Sequence, residues 1–219
     1  LNETNSVWEK LGGVVEKCGI NLRKSIKLQR LANKGDAKIF IYPVAMNDSL
    51  VSVTLGIGGD VKVEKQLNAT FTNIDFFGAD PFEATAGVFR ALGNVYLTGI
   101  GPIDGQINSS ILTNDDPQKP IYNTKTIASI TFKNYLNKIK QNFIDFLLID
   151  IEGPEYWVLP KIFDEEMRNE YTICQLNIEI HGPLESYGVT TKQFDALIFS
   201  SLDSSFLPLS LPAGGTHRN

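Results

Sequence analysis

The chain has 219 residues, 42% hydrophobic and 21% charged, a composition that suits one α/β domain with a sizeable core and is far from that of disorder. A net charge of −5 argues against broad nucleic-acid binding, which needs a basic face. Its two cysteines, Cys18 and Cys174, make neither a disulfide framework nor a zinc pattern, and no apolar run approaches the length of a membrane-spanning helix.

Taken in order, residues 6–32 read as helical. Trp8, Leu11, Val14, Val15 and Cys18 form one apolar stripe, and Ile26, Leu28, Leu31 and Ala32 form another. These helices, within residues 1–36, precede an α/β core over 37–219. Arg23, Lys24, Lys27 and Arg30 read as a solvated helix face. Ala37 to Val44 is a short strand that Pro43 marks as an edge or an end, and Asn47-Asp48 is a turn. Four N-x-S/T sequons, at Asn2, Asn47, Asn68 and Asn108, lean towards a protein of the secretory lumen, with the cytoplasm as the alternative.

Leu50 to Leu55 is a core strand that runs into Gly56-Ile57-Gly58-Gly59-Asp60, and a helix follows from Val61. Glycines in such a turn let the backbone approach a nucleotide-like ligand, and the free amides of the helix start face it. A plain tight turn is the alternative. Asn73 to Ala79 is the next strand, ending on Asp80-Pro81. Asp80 is placed either to accept hydrogen bonds from ribose hydroxyls or to cap the helix near Phe82. Glu83 to Leu92 is helical, Asn94 to Ile100 a third strand, and Ile107 to Leu112 a short further one. Asn114 to Tyr122 is a polar surface loop, and Ile127 to Ile139 a helix.

Phe143 to Ile149 is a near-continuous apolar run, the pattern of a central strand buried on both faces. It stops on Asp150-Ile151-Glu152-Gly153-Pro154, and a helix carrying Pro160 follows. Acids at the carboxyl end of a buried parallel strand lie where open α/β sheets bind ligands. For Glu155, support of the positive helix end is the plainer alternative. Tyr171 to Ile180 is strand five, with Cys174 as a small core residue, and it ends on Glu179-Ile180-His181. Beside Asp150 and Glu152, His181 is a candidate base or metal ligand. Thr190 to Leu202 is a capped helix, and Phe206 to Leu211 a last strand before an irregular tail.

This order resembles a Rossmann-like methyltransferase: a doubly wound, mostly parallel α/β sheet with helices on both faces. More narrowly, Ile149-Asp150-Ile151-Glu152-Gly153-Pro154-Glu155 is similar to the I-D-x-E-G-x-E signature of FkbM-type methyltransferases. Val53 to Asp60, Phe76 to Pro81 and Ile178 to His181 look like the branch of that superfamily seen in animals, including many nematode proteins. The resemblance spans residues 50–181. It implies S-adenosylmethionine as cofactor and methylation of oxygen on a sugar or other hydroxylated small molecule, without nucleic acid. By position, Gly56, Gly58 and Gly59 would line the methionine and ribose side, with Asp80 on the ribose. Many such enzymes carry an acid two residues before the first glycine; Thr54 stands there. That leaves the methionine amino group to Asp60 or Asp150, and keeps a catalytically inactive scaffold as the alternative function. For the acceptor hydroxyl, His181 backed by Asp150 and Glu179 is the expected base, or Asp150, Glu179 and His181 a divalent-metal site.

Overall fold

Five parallel strands carry the architecture, in the order β10-β9-β3-β4-β5. The computed structural model describes residues 5–34, 36–44, 49–112, 122–182 and 188–211. The predicted turn at Asn47-Asp48, most of the Asn114 to Tyr122 loop, the tail from Ala213, and the sequons at Asn2 and Asn47 lie outside the described residues. In chain order the elements are α1 (Asn5–Ser25), β1 (Leu28–Ala32), β2 (Ala37–Ile41), β3 (Leu50–Leu55), α2 (Lys62–Thr70) and β4 (Ile74–Ala79). Next come α3 (Glu83–Ala86), a 3-10 turn (Gly87–Ala91), β5 (Asn94–Tyr96), β6 (Gly99–Ile100), β7 (Gly105–Leu112) and β8 (Tyr122–Ile130). The series ends with α4 (Phe132–Ile139), β9 (Phe143–Ile149), α5 (Glu155–Met167), β10 (Thr172–Ile178) and α6 (Thr191–Leu202).

Every residue of β3 is buried, which is why a run of Leu and Val forms the centre of the sheet. Alternation along the strands divides the core into two layers. Val51, Val53, Leu55, Phe77, Ile144, Leu147 and Ile149 pack against α4, α5 and α6 on one face. Leu50, Phe76, Phe146 and Leu148 pack against α2, the 3-10 turn and the β1–β2 hairpin on the other. Helices therefore cover both faces, as the apolar runs imply. α6 starts where its Thr-Thr pair predicts, with a reciprocal capping box between Thr190 and Gln193. Pro160 lies inside α5 without ending it.

Several expectations are corrected. Ile26 to Ala32 is not a second helical stripe: Leu28–Ala32 pairs antiparallel with Ala37–Ile41, Leu31 opposite Lys38. The hairpin is tied to β10 by Gln175, whose side chain accepts from Ile41 N at 2.7 Å, and by Asn177, which accepts from Ile39 N at 3.0 Å. Tertiary pairing outweighs local helical spacing here. Asn94 to Ile100 is two strands, the first in the main sheet and the second in a separate sheet of order β6-β8-β7. Ile127 to Ile130 belongs to that sheet, and the helix begins only at Phe132, capped by Thr131. Cys174 is exposed, because β10 is an edge strand. Val14 and Cys18 of the first stripe are also exposed, while Val15 is buried. Phe206 to Leu211 is irregular and lies against α1, where Leu209 O accepts from Arg23 at 2.8 Å.

Candidate active site

Parallel register brings the chemistry to one edge. Leu55 aligns with Ala79 and with Ile149, and Ile149 aligns with Ile178. The residues that follow, Gly56, Asp80, Asp150 and Glu179, therefore leave the sheet side by side at its carboxyl end, the binding edge of open α/β sheets. The ladder closes with Gly56 N donating to Ala79 O (2.8 Å), Asp150 N to Leu55 O (2.9 Å) and Glu179 N to Ile149 O (2.9 Å).

The glycine turn is required by geometry. Gly56 has φ +78°, and a Cβ there would lie 1.7 Å from the carbonyl oxygen of Asp150. Gly58 and Gly59 also have positive φ, but a Cβ on either would meet nothing within 4 Å. Asp80, 5% exposed, grips this turn from the neighbouring strand. One oxygen accepts from Ile57 N (3.0 Å) and Gly58 N (3.2 Å), and the other from Phe82 N and Thr85 Oγ1 (both 2.8 Å). An ionised carboxylate has about four acceptor positions, so these donors use them all. Asp60 points elsewhere, accepting from Lys34 N at 2.7 Å and Lys62 N at 3.2 Å.

Thr54 is not isolated from acid. Its hydroxyl donates to Glu64 Oε1 at 2.8 Å, so α2 returns a carboxylate to the strand end that lacks one. Glu64 is 3% exposed and its Oε2 has no hydrogen-bond partner. Burial raises its pKa above the ordinary range, outweighing the Thr54 hydrogen bond that favours the charged form. A carboxyl raised in the folded state binds its proton more tightly than in the unfolded chain. Stability therefore falls as pH rises from the unfolded value of about 4.3 through the folded value, and the penalty is complete above that. Glu64→Gln is accordingly expected to raise the melting temperature by about 2–5 °C at pH 7.5. The gain should shrink towards zero at pH 4, read by calorimetry.

Four side chains converge past β9 and β10. His181 Nδ1 is 3.0 Å from Glu155 Oε1, and Nε2 is 3.1 Å from Glu152 Oε2 and 3.6 Å from Asp150 Oδ1. Glu155 is fully buried and also accepts from Ile151 N (3.2 Å) and Gly153 N (2.8 Å). It thus braces the turn before its own helix as well as the imidazole. Glu152 holds φ +58°, a left-handed conformation that costs a non-glycine residue free energy and that recurs at functional sites. The Tyr156 hydroxyl donates to His181 O at 2.9 Å and anchors the backbone there. Burial raises the Asp150 pKa to about 7, helped by the charges of Glu179 and Glu152. For His181, burial alone would lower the pKa, but hydrogen bonds to Glu152 and Glu155 lift it to about 12.

Glu179 stands apart from the imidazole. It lies 3.5 Å from Lys38 Nζ, on the hairpin, and Lys38 in turn pairs with Asp36 at 2.6 Å. Of the residues expected to act together, the structure brings Asp150 and Glu152 to His181 and adds Glu155. A cleft open to solvent joins the two halves of the site. Gly56, Gly58 and Asp80 line one side, Asp150 and Glu152 another, and Ile100, Ile107 and Ile127 an apolar wall. That wall comes from the second sheet, whose Ile100 and Ile107 the sequence places in strands and whose Ile127 it places in a helix.

Residues 27–203 match the methyltransferase FkbM domain. The chain belongs to the FkbM methyltransferase family. Its parallel five-stranded sheet flanked by helices agrees with that assignment. No curated protein and no solved structure matches the chain. The family places the carboxyl-edge residues in a methyltransferase domain.

Proposed function

We propose that this FkbM domain is an S-adenosylmethionine-dependent O-methyltransferase acting on a hydroxyl of a sugar or another small hydroxylated molecule. The observation that carries the reading is the single cavity shared by the glycine turn and the acids after β9. The residues present fit the donor. Open space beside Gly58 and Gly59 leaves backbone accessible. The isoleucine wall suits a flat ring.

Bound there, the donor would supply an electrophilic methyl group, a transfer that needs alignment and loss of the acceptor's proton. The chain's own residues divide the remaining tasks. Asp80 keeps the glycine turn in its open form, and the apolar wall excludes water. Asp150 and Glu152 face the cavity and accept hydrogen bonds from the acceptor hydroxyl. His181, clamped by Glu155, holds those two carboxylates in place. The acceptor class follows from this polar edge, since a hydroxyl needs such acceptors and an apolar carbon does not.

Isothermal titration of the folded protein with S-adenosylmethionine and S-adenosylhomocysteine tests the reading. Micromolar binding of both is expected. Absence of binding by folded protein would overturn the reading and leave a domain that keeps the fold as a binding scaffold.

A further inference from the structure

We infer that Trp157 is a binding platform for the acceptor, and that the acceptor is a pyranose sugar with its hydroxyl edge on Asp150 and Glu152 and its C–H face on the indole. Trp157 lies in the first turn of α5. The buried residues of that helix are Glu155, Tyr156, Val158, Leu159, Ile162 and Phe163, which pack towards the sheet. Trp157 falls in the gap of this pattern and is 43% exposed. An indole left half in water forgoes much of the stabilisation its size could give, so a ligand that covers it gains that free energy.

Neighbouring contacts set this residue at the rim of the cleft. Its backbone N–H donates to Pro154 O at 3.0 Å, and Pro154 lines the cleft together with Asp150 and Glu152. Its ring centroid lies 6.4 Å from that of Tyr156, edge to face at 68°, and the Tyr156 hydroxyl donates to His181 O at 2.9 Å. One turn further along α5, Lys161 donates to the carbonyl of Pro102, two residues past Ile100 of the cleft wall. Side chains on a helix lean towards its N-terminus. For α5 that end is the carboxyl edge of the sheet, so the indole leans towards the acids.

The chemistry of a sugar matches this pairing. A pyranose carries hydroxyls around its edge and C–H groups on its faces. The edge needs hydrogen-bond acceptors, and the C–H face suits the electron-rich face of an aromatic ring. Asp150 and Glu152 supply the first and Trp157 the second. The donor does not compete for the indole, because it takes the glycine turn and the isoleucine wall. A flat aromatic acceptor is apolar on both faces and gains most from enclosure on both, whereas a half-exposed indole at an open rim covers one. The open rim also admits a sugar that is one unit of a larger glycan.

This inference rests on the methyltransferase reading and narrows its acceptor from any hydroxylated small molecule to a carbohydrate. Trp157 acts there as a specificity residue. By fixing one face of the sugar it fixes which edge meets the acids, and so which hydroxyl is aligned for transfer.

The test is two-dimensional nitrogen–proton NMR of the full chain, with and without S-adenosylhomocysteine. The probes are the methyl glycosides of glucose, galactose, mannose and fucose, with catechol as the aromatic comparison. The chain has two tryptophans and so two indole N–H signals, and the one that Trp157→Phe removes belongs to Trp157. A saturable shift of that signal is expected with at least one glycoside, with a Kd of about 1–10 mM. Read from the sugar protons, Trp157→Ala should weaken binding about tenfold with the fold intact by circular dichroism. Trp157→Phe, which keeps an aromatic face, should weaken it less than about threefold. The shift in the wild-type protein decides the matter should Trp157→Ala not fold. Overturning results are no shift with any glycoside, equal binding by Trp157→Ala, or a shift with catechol and none with the glycosides. Binding of S-adenosylhomocysteine is scored on the same sample, so loss of the sugar platform and loss of the methyltransferase reading are told apart.

Discussion

Asp80→Asn is expected to destabilise the domain by about 3–5 kcal/mol and to abolish binding of a methyl donor. The carboxylate accepts from Ile57 N, Gly58 N, Phe82 N and Thr85 Oγ1. Hydrogen bonds to a charged acceptor are worth about 1.5–3 kcal/mol each. An amide keeps one acceptor oxygen and presents its NH2 group to the remaining donors, so one pair is lost and donors are forced together. Two segments distant in sequence, the turn after β3 and the start of α3, lose their shared anchor. Ile57 and Gly58 form the rim of the proposed donor site, so their displacement reaches binding as well as stability. For a chain of this size the shift corresponds to a melting temperature lower by about 6–20 °C. Scanning calorimetry checks it; a change under about 2 °C would show that Asp80 does not clamp the turn. The same bonds explain why Asp80 has no free acceptor for ribose in this conformation. Its contribution to a ligand is to shape the backbone that receives it.

Glu155→Gln should have an effect of similar size at the other half of the site. Glu155 has no solvent contact and meets two backbone N–H groups and the imidazole of His181. The substitution sets an NH2 group against one of those donors and leaves His181 short of a buried counter-charge. Breaking a buried charged pair in this way costs about 3–5 kcal/mol. The pH dependence has a definite sign. Because the His181 pKa is raised in the folded state, to about 12, its stabilisation is complete below the unfolded value of about 6.5 and is lost as pH rises towards 12. Removing Glu155 takes away one of the causes of that shift, so the imidazole should titrate at lower pH. Two-dimensional NMR of the histidine ring protons, with melting curves at pH 6 and 9, gives both readings. An unchanged His181 titration would remove Glu155 from the role of its holder.

Much of this site is legible before folding. The run Phe143 to Ile149 is apolar but for Asp145 and buried over its last four residues, the pattern of a central strand, and Asp150 emerges at its end. Leu50 to Leu55 behaves alike, and the glycines after it imply a turn where backbone meets backbone. Once the strands are parallel and in register, the order of acids along the edge follows. These readings succeed because they depend on a residue and its immediate neighbours.

What failed shares one cause. Leu28 to Ala32 has helical spacing but becomes a strand because β2, itself held by the side chains of Gln175 and Asn177 of β10, offers it hydrogen bonds. Ile127 to Ile130 joins a second sheet because Gly105 to Ile107 of β7 pair with Ser129 to Ile127 and β6 pairs with Ser129 and Ile130. Glu155 looked like support for a helix terminus, and it does brace that turn; its contact with His181 spans 26 positions in sequence. Glu64 carried no signal at all, since only the packing of α2 on the sheet brings it to Thr54. The amino-acid sequence alone determined the central strands, the glycine turn and the family, because hydrophobic period and turn chemistry are local properties. Tertiary structure alone decided which carboxylates are buried, which donors they meet and what shares the cavity, because desolvation and hydrogen-bond geometry exist only between segments already packed together.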